Sequence, residues 1–115
     1  MINGFIEETE QLNDYEKGVL LPLVVRGLQT KVGSQMAVTS KVIIEALTVQ
    51  GYKGLSGPRV RKLINHIRIN GLIKNLVASS KGYYIETDIT ERKKYVQGVK
   101  ARSESMLASL NFIQI

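Results

Sequence analysis

Basic side chains are concentrated in one stretch of the sequence, from Leu47 to Ile85, in which no acidic residue occurs. The bases of this stretch are Lys53, Arg59, Arg61, Lys62, Arg68, Lys74 and Lys81. Arginine and lysine side chains donate hydrogen bonds and carry positive charge at neutral pH, so together they form a surface of one sign. Such a surface is suited to binding a polyanion; the alternative is a basic face that meets only solvent.

Few residues of the types that catalysis and metal binding require are present. The sequence has no cysteine and a single histidine, His66, which excludes disulfides, thiol chemistry and clusters of thiolate or imidazole ligands. It also contains no glycine-rich phosphate loop and no paired-carboxylate motif, and no acid lies within the stretch that holds His66. We therefore predict that the chain is not an enzyme and binds no metal, cofactor or small-molecule substrate.

The overall composition is typical of one globular domain. The chain has 115 residues, of which 43% are hydrophobic and 23% charged, with a net charge of +6. No apolar run approaches the roughly 20 residues that cross a bilayer, and the N-terminus lacks the features of a signal peptide. We expect a cytoplasmic protein without a membrane partner, whose residues 1–12 form an acidic N-terminal segment.

Two helices are predicted before the basic stretch. Asn13, followed three residues later by Glu16, indicates a capping box for a helix that continues to about Gln29, with a bend at Pro22. Residues 31–38 are predicted to form a loop. The second helix then begins at Thr39 or Ser40 and buries an apolar stripe of Val42, Ile43, Ala46, Leu47 and Val49.

A third helix is predicted from Pro58 to Asn70, with Ser56 as its N-cap and Gly71 as its C-cap. Its buried face has the spacing i, i+3, i+4, i+7 and consists of Val60, Leu63, Ile64 and Ile67. Arg68 lies close to this face and is expected to lay its stem along the core. The remaining surface of the helix is basic and amide-bearing, with Arg59, Arg61, Lys62, Asn65 and His66.

After the third helix, residues 72–78 and 83–87 are predicted to be strands of a hairpin, joined by the polar turn 79–82. Asp88, with Glu91 three residues later, predicts the start of a last helix that reaches about Leu110.

This order of elements resembles a winged helix-turn-helix domain. The resemblance depends on residues 39–47, 55–68, 71–73 and 80–85. It is similar to the domains of biotin-operon-repressor type, and to small phage- or prophage-encoded proteins in which such a domain is followed by one long helix. The resemblance implies a mainly α (α+β) fold with a three-helix core and a β-hairpin wing over residues 13–87, followed by a C-terminal helix over residues 88–115. The turn 51–57 is longer than the three or four residues usual between the second and third helices.

The resemblance also implies sequence-specific binding of double-stranded DNA, with the third helix in the major groove, as in a phage-type transcriptional or replication regulator. Arginine and lysine donate to guanine, and asparagine pairs with adenine, so the expected reading residues are Arg59, Arg61, Lys62, Asn65 and His66. Phosphate or wing contacts are expected from Ser56, Lys53, Lys74, Ser79, Ser80 and Lys81. As alternatives, the arginines and His66 are ordinary surface residues, and Ser56 serves only as a cap.

The sequence leaves alternatives open for the oligomeric state and for the class of binding partner. The apolar residues Ile89, Val96, Val99, Met106, Leu110 and Ile113 nearly follow a heptad seam. This seam favours a homodimer through the last helix, while packing of that helix against the first helix of its own chain is the alternative. A protein-interaction module without DNA binding is the main rival function, since a fold does not fix a function. RNA binding is a weaker rival, because an exposed sheet with stacking aromatic residues is lacking.

Overall fold

The computed structural model describes residues 11–102, an α+β chain. Its helices are α1 (Leu21–Leu28), α2 (Ser40–Val49), α3 (Gly57–Ile69) and α4 (Ile89–Arg102), and its strands are β1 (Leu76–Ser79) and β2 (Gly82–Ile85). The acidic residues Glu7, Glu8 and Glu10 and the seam positions Met106, Leu110 and Ile113 lie outside the described residues. Within residues 11–102, no helix has both the length and the apolar character needed to cross a membrane.

The predicted capping box at the start of the first helical segment is confirmed. The Glu16 amide donates to Asn13 Oδ1 at 2.8 Å, and the Asn13 amide donates to Glu16 Oε1 at 2.9 Å. The segment then forms a π turn, Glu16–Leu20, before α1 begins. This wider turn lies just before Pro22, which has no amide to offer the carbonyl of Gly18, and the bend expected at Pro22 stays a prediction.

The core lies between the first three helices and the start of β1. The predicted stripe of α3 is confirmed, since Val60, Leu63, Ile64 and Ile67 are each at most 1% exposed. The side chains that pack with them include Leu20, Val24, Leu28, Leu47, Ile73 and Leu76. The third helix therefore rests on α1 and α2 with its polar side turned away from the core.

The predicted stripe of α2 is wrong in part. Leu47 is buried and Ile43 packs against the core, as expected, but Val42 and Val49 are 46% and 87% exposed and Ala46 is also exposed. Ile44 packs against the core instead. Apolar residues occupy so much of this helix that spacing alone could not select the buried side; packing on α3 selects it.

The hairpin is confirmed, with corrected bounds. Strands β1 and β2 are antiparallel with Ser79 opposite Gly82, so Ser80 and Lys81 form a two-residue turn. The first strand begins at Leu76 rather than at residue 72, because residues 70–75 form turns that end at Asn75 with φ 62°. The second strand covers 82–85 rather than 83–87.

Residues 31–38, predicted to be a loop, pair with β2 at two places. Val38 and Tyr83 exchange backbone hydrogen bonds of 3.0 and 2.7 Å, and Ile85 receives a bond of 2.9 Å from the Gly33 amide. Ile85 also donates to the Lys31 carbonyl at 2.7 Å. This segment thus flanks the side of β2 opposite β1 and ties the hairpin to the chain between α1 and α2.

The start of α4 is confirmed at Asp88, whose Oδ1 accepts hydrogen bonds from the amides of Thr90 and Glu91 at 2.7 and 3.2 Å. Of the predicted seam, Val96 and Val99 are buried within the chain, while Ile89 is 46% exposed. Packing of α4 on its own chain therefore occupies two seam positions. The homodimer through this helix stays a prediction.

Candidate nucleic-acid interface

The N-terminal end of α3 is capped as the sequence predicted. Ser56 Oγ accepts a hydrogen bond from the Arg59 amide at 3.2 Å, and Pro58 occupies the first turn, where its missing amide leaves no carbonyl without a partner. The predicted bounds of the helix, 58–70, agree with the structure to within one residue. The exposed Ser56 hydroxyl already serves the cap, and its contact with a phosphate stays a prediction.

A buried ion-pair cluster connects α3 with the first helical segment. Glu16, only 2% exposed, accepts from Arg59 Nε through Oε2 at 2.9 Å. Its other oxygen, Oε1, lies 2.8 Å from Lys62 Nζ and also accepts the Asn13 amide. Two of the five predicted reading side chains are therefore engaged with a carboxylate, which the sequence analysis did not anticipate.

The charge of Glu16 is maintained by this cluster. Burial by itself raises the pKa of the Glu16 carboxyl. The hydrogen bonds that it accepts from Lys62, the Asn13 amide and Arg59 act in the opposite direction and outweigh burial, so its pKa lies below the ordinary value of 4.5. At neutral pH the cluster contains one negative and two positive charges.

Arg59 also fixes the glycine-rich turn before α3. Its Nη1 donates to the Gly54 carbonyl at 2.6 Å, and its guanidinium carbon lies 5.8 Å from the centre of the Tyr15 ring. The Tyr15 hydroxyl in turn donates to the Lys53 carbonyl at 2.8 Å and accepts from the Lys53 amide at 3.3 Å. The middle of the long turn 51–57 is thus held at Lys53 by the first helical segment and at Gly54 by α3.

The outer side of α3 presents Arg61 and Asn65, which are one helical turn apart. Arg61 is exposed and Asn65 half-buried. A Cβ on Gly57 would lie 3.2 Å from Arg61 Nη1, so the Arg61 side chain lies along the first turn of the helix. Among residues 11–102, Arg61 makes no ion pair. Of the five predicted reading residues, these two and His66 lie outside the Glu16 cluster, and Arg61 is the one that is exposed.

His66, the fifth predicted reading residue, is half-buried on the side of α3 that holds Arg59. Burial lowers its pKa below 6.5, and the nearby charge of Lys17 lowers it further. The neutral imidazole is therefore the form that the fold favours.

We expect the stability of the chain to fall as the pH drops below about 6.5. The folded pKa of His66 lies below the unfolded value, so the unfolded state binds more protons in this window. No other histidine is present, and ordinary carboxyls titrate mainly below about pH 5. Urea unfolding at about pH 7.5 and about pH 5.5 measures the loss, and a His66→Gln variant should show a smaller loss. An equal loss in the variant would contradict the assignment to His66.

The remaining predicted contact residues lie on the protein surface. Lys53, Lys74, Ser80 and Lys81 are exposed. Ser79 shapes the hairpin turn, since its hydroxyl donates to the Gly82 carbonyl and accepts from the Lys81 amide, both at 3.1 Å. Phosphate contacts by these residues stay predictions.

Arg68 links α3 to α4. It is 4% exposed, donates through Nη2 to the Tyr95 hydroxyl, and its guanidinium carbon lies 5.8 Å from the Tyr95 ring centre. Sequence analysis expected only its aliphatic stem at the core, and no local spacing connects Arg68 with Tyr95. Of the seven bases in the stretch 47–85, the four that are exposed are Lys53, Arg61, Lys74 and Lys81.

Comparison of the chain with models of known protein families, with curated proteins and with solved structures finds no match. Within the described part of the chain, no group of three or more His, Asp or Glu side chains is arranged to hold a metal ion. The function is therefore inferred from the fold and surface of the chain itself.

Proposed function

We propose that the chain binds double-stranded DNA sequence-specifically as a winged helix-turn-helix domain, with α3 in the major groove and the β1–β2 hairpin as the wing. The order of three helices and a hairpin supports this proposal, as does the pairing of residues 31–38 with β2. A phage-type regulator of transcription or replication, acting in the cytoplasm, is the class of protein that fits this arrangement.

The observation that carries the proposal is the pair of Arg61 and Asn65 on the outer side of α3. An arginine at the rim of such a helix can donate two hydrogen bonds to guanine O6 and N7, and an asparagine one turn later can pair with adenine N6 and N7. Neither side chain belongs to the buried stripe; Arg61 is exposed and Asn65 is half-buried. A helix with this outer side can discriminate between base pairs, which a merely basic surface cannot.

The exposed lysines supply the part of the interaction that is independent of sequence. Lys53 precedes α3, Lys74 follows it, and Lys81 lies at the hairpin turn. Lysines in these positions attract phosphates on both sides of the groove that α3 would occupy, and they release counterions on binding. Glu16, the acid that pairs with Arg59 and Lys62 of α3, is itself buried between these two bases.

The double variant Arg61→Ala/Asn65→Ala is expected to lose discrimination between DNA sequences. Selection from a random duplex pool first identifies the preferred site, and fluorescence anisotropy then compares that site with mixed-sequence DNA. Each bidentate contact contributes about 1–3 kcal/mol of discrimination, so the preference should fall by roughly 10-fold or more.

Lys93→Ala/Gln97→Ala provides the matched control. It removes one positive charge and one amide at the same spacing from exposed positions of α4. Its preference should remain that of the unmodified chain. Equal losses in both double variants would contradict base reading by α3, and absence of DNA binding at low salt would overturn the proposed function.

A protein-interaction module is the second candidate, favoured by an apolar cleft of about 250 Å³ between α1 and α2. The residues at its surface include Leu23, Gly27, Val42 and Ala46, and none of its lining residues belongs to α3 or to the hairpin. A protein seated there would not need the basic surface. This candidate becomes the leading one if the chain binds no DNA.

A further inference from the structure

The Arg59 side chain is held in place by three groups around it. Its Nε donates to Glu16, its Nη1 donates to the Gly54 carbonyl, and the ring of Tyr15 lies beneath its guanidinium. A surface arginine usually has none of these restraints. Among the described residues, its Nη2 group has no hydrogen-bond partner, and 26% of the side chain is exposed.

We propose that Glu16 is a positioning residue for a DNA phosphate contact, because it aligns Arg59 so that Nη2 donates to the phosphate backbone beside the start of α3. This inference rests on the proposed function and extends it. Arg59 becomes a phosphate-contacting residue rather than a base-reading one. Glu16 acts only through Arg59, since its carboxylate is 2% exposed and cannot itself reach the DNA.

The charges of the cluster are compatible with a phosphate nearby. Arg59 and Lys62 together exceed the single charge of Glu16, and both stand closer to the surface, at 26% and 22% side-chain exposure against 2%. The two cations of the cluster, rather than its carboxylate, therefore form its outer side. An arginine that is already fixed also loses less conformational freedom on binding, which favours affinity.

The neighbouring residues suit the same phosphate. The Tyr15 hydroxyl donates a hydrogen bond to the Lys53 carbonyl and accepts one from the Lys53 backbone amide. Tyr15 therefore contacts both Arg59 and the turn that carries the exposed Lys53 side chain. Lys53 and Arg59 thus flank one surface next to the capped end of α3. Arginine and lysine side chains beside a helix start are common phosphate contacts.

The rival explanation predicts the opposite change in DNA affinity when the charge of Glu16 is removed. If Glu16 merely withdrew Arg59 and Lys62 from the DNA, replacing it by glutamine would strengthen binding, since the formal net charge would rise from +6 to +7. If Glu16 positions Arg59, the same replacement weakens binding although the chain becomes more positive.

The experiment measures binding of mixed-sequence duplex DNA by fluorescence anisotropy at several salt concentrations. Glu16→Gln keeps an acceptor for the Asn13 amide and is expected to weaken binding about 3- to 10-fold, the effect of a side chain that must now be ordered on binding. Glu91→Gln, which adds the same charge at an exposed position of α4, should not weaken it.

A double-variant cycle then connects Glu16 with Arg59. Arg59→Ala should lower the slope of log K against log salt by about 0.9, the value for one phosphate contact. Glu16→Gln/Arg59→Ala should bind no more weakly than Arg59→Ala alone, because Glu16 acts only through Arg59. Urea unfolding verifies that each variant is folded. Arg59→Lys keeps the charge but lacks the Nε–H that donates to Glu16, so it should weaken binding as much as Glu16→Gln does. If Glu16→Gln does not fold, Arg59→Lys takes its place in the experiment.

Tighter or unchanged binding by a folded Glu16→Gln, or by Arg59→Lys in its place, would overturn the positioning role while leaving the proposed function intact. Losses of binding free energy that add up in the Glu16→Gln/Arg59→Ala double variant would also overturn the positioning role. If the unmodified chain binds no DNA at low salt, the proposed function itself fails, and the two failures are therefore distinguishable.

Discussion

Replacing Gly82 by alanine is expected to destabilise the fold by about 3 kcal/mol, from overpacking and backbone strain together. A Cβ at this position would lie 2.3 Å from the Val38 carbonyl oxygen and 2.4 Å from its carbonyl carbon. The residue also has φ 119°, which L side chains rarely adopt. Val38 cannot move away freely, because it exchanges two backbone hydrogen bonds with Tyr83.

Two other glycines separate the contributions to this effect. Gly33 has φ 89° but no atom within 4 Å of a Cβ built on it, so Gly33→Ala should cost about 1 kcal/mol from strain alone. Gly27, in α1, has neither a positive φ nor a close neighbour, and Gly27→Ala should be neutral or stabilise by up to about 1 kcal/mol. Free energies of unfolding in urea measure all three. A loss at Gly82 no larger than at Gly33 would contradict the close approach of β2 to residue 38.

The helix starts could be predicted from the sequence because their signals are local. Asn13, Thr39, Ser56 and Asp88 each accept a hydrogen bond from an amide two or three residues later. Such a bond requires only the right residue type at a short spacing and does not depend on the rest of the fold. The buried stripe of α3 was equally accessible, because its four apolar positions define a single side of the helix.

Most missed features of the fold depend on contacts between distant segments. Residues 31–38 have no alternating apolar pattern, and they pair with β2 through backbone atoms, which carry no residue signature. The apolar residues of α2 cover too much of the helix for spacing to indicate that Ile44, rather than Val42, faces the core. The late start of the first strand has a local cause: Asn75 adopts a positive φ, which asparagine tolerates better than most residues with a side chain, so this signal was present in the sequence and was missed.

The candidate site was predictable in its location but not in its internal bonding. The acid-free stretch and the outer side of α3 follow directly from residue types and helical spacing. The partners of its basic residues do not, because Glu16 lies 43 positions before Arg59, and Tyr95 lies 27 positions after Arg68. Three of the seven bases of the stretch are consequently engaged inside the fold, which moves the predicted reading surface to Arg61 and Asn65.

Replacing Glu16 by alanine should also destabilise the chain by about 3 kcal/mol. The variant removes the capping acceptor for the Asn13 amide and leaves the largely buried cations of Arg59 and Lys62 without their counter-charge. Because these cations retain some solvent exposure, the loss should fall at the lower end of that for broken buried ion pairs. Urea unfolding at neutral pH measures it.

Two further variants identify the source of this loss. Glu91→Ala breaks the ion pair with Lys94. Because the side chains of Glu91 and Lys94 are 52% and 69% exposed, this variant should lose less than about 1 kcal/mol of stability. Glu16→Gln retains the capping acceptor, so it should be about 1 kcal/mol more stable than Glu16→Ala, and the remaining deficit belongs to the ion pairs. A loss for Glu16→Ala as small as that for Glu91→Ala would mean that solvent replaces the carboxylate at little cost. The cluster would then be an ordinary surface ion pair, and Arg59 would not be held firmly enough for Glu16 to position it.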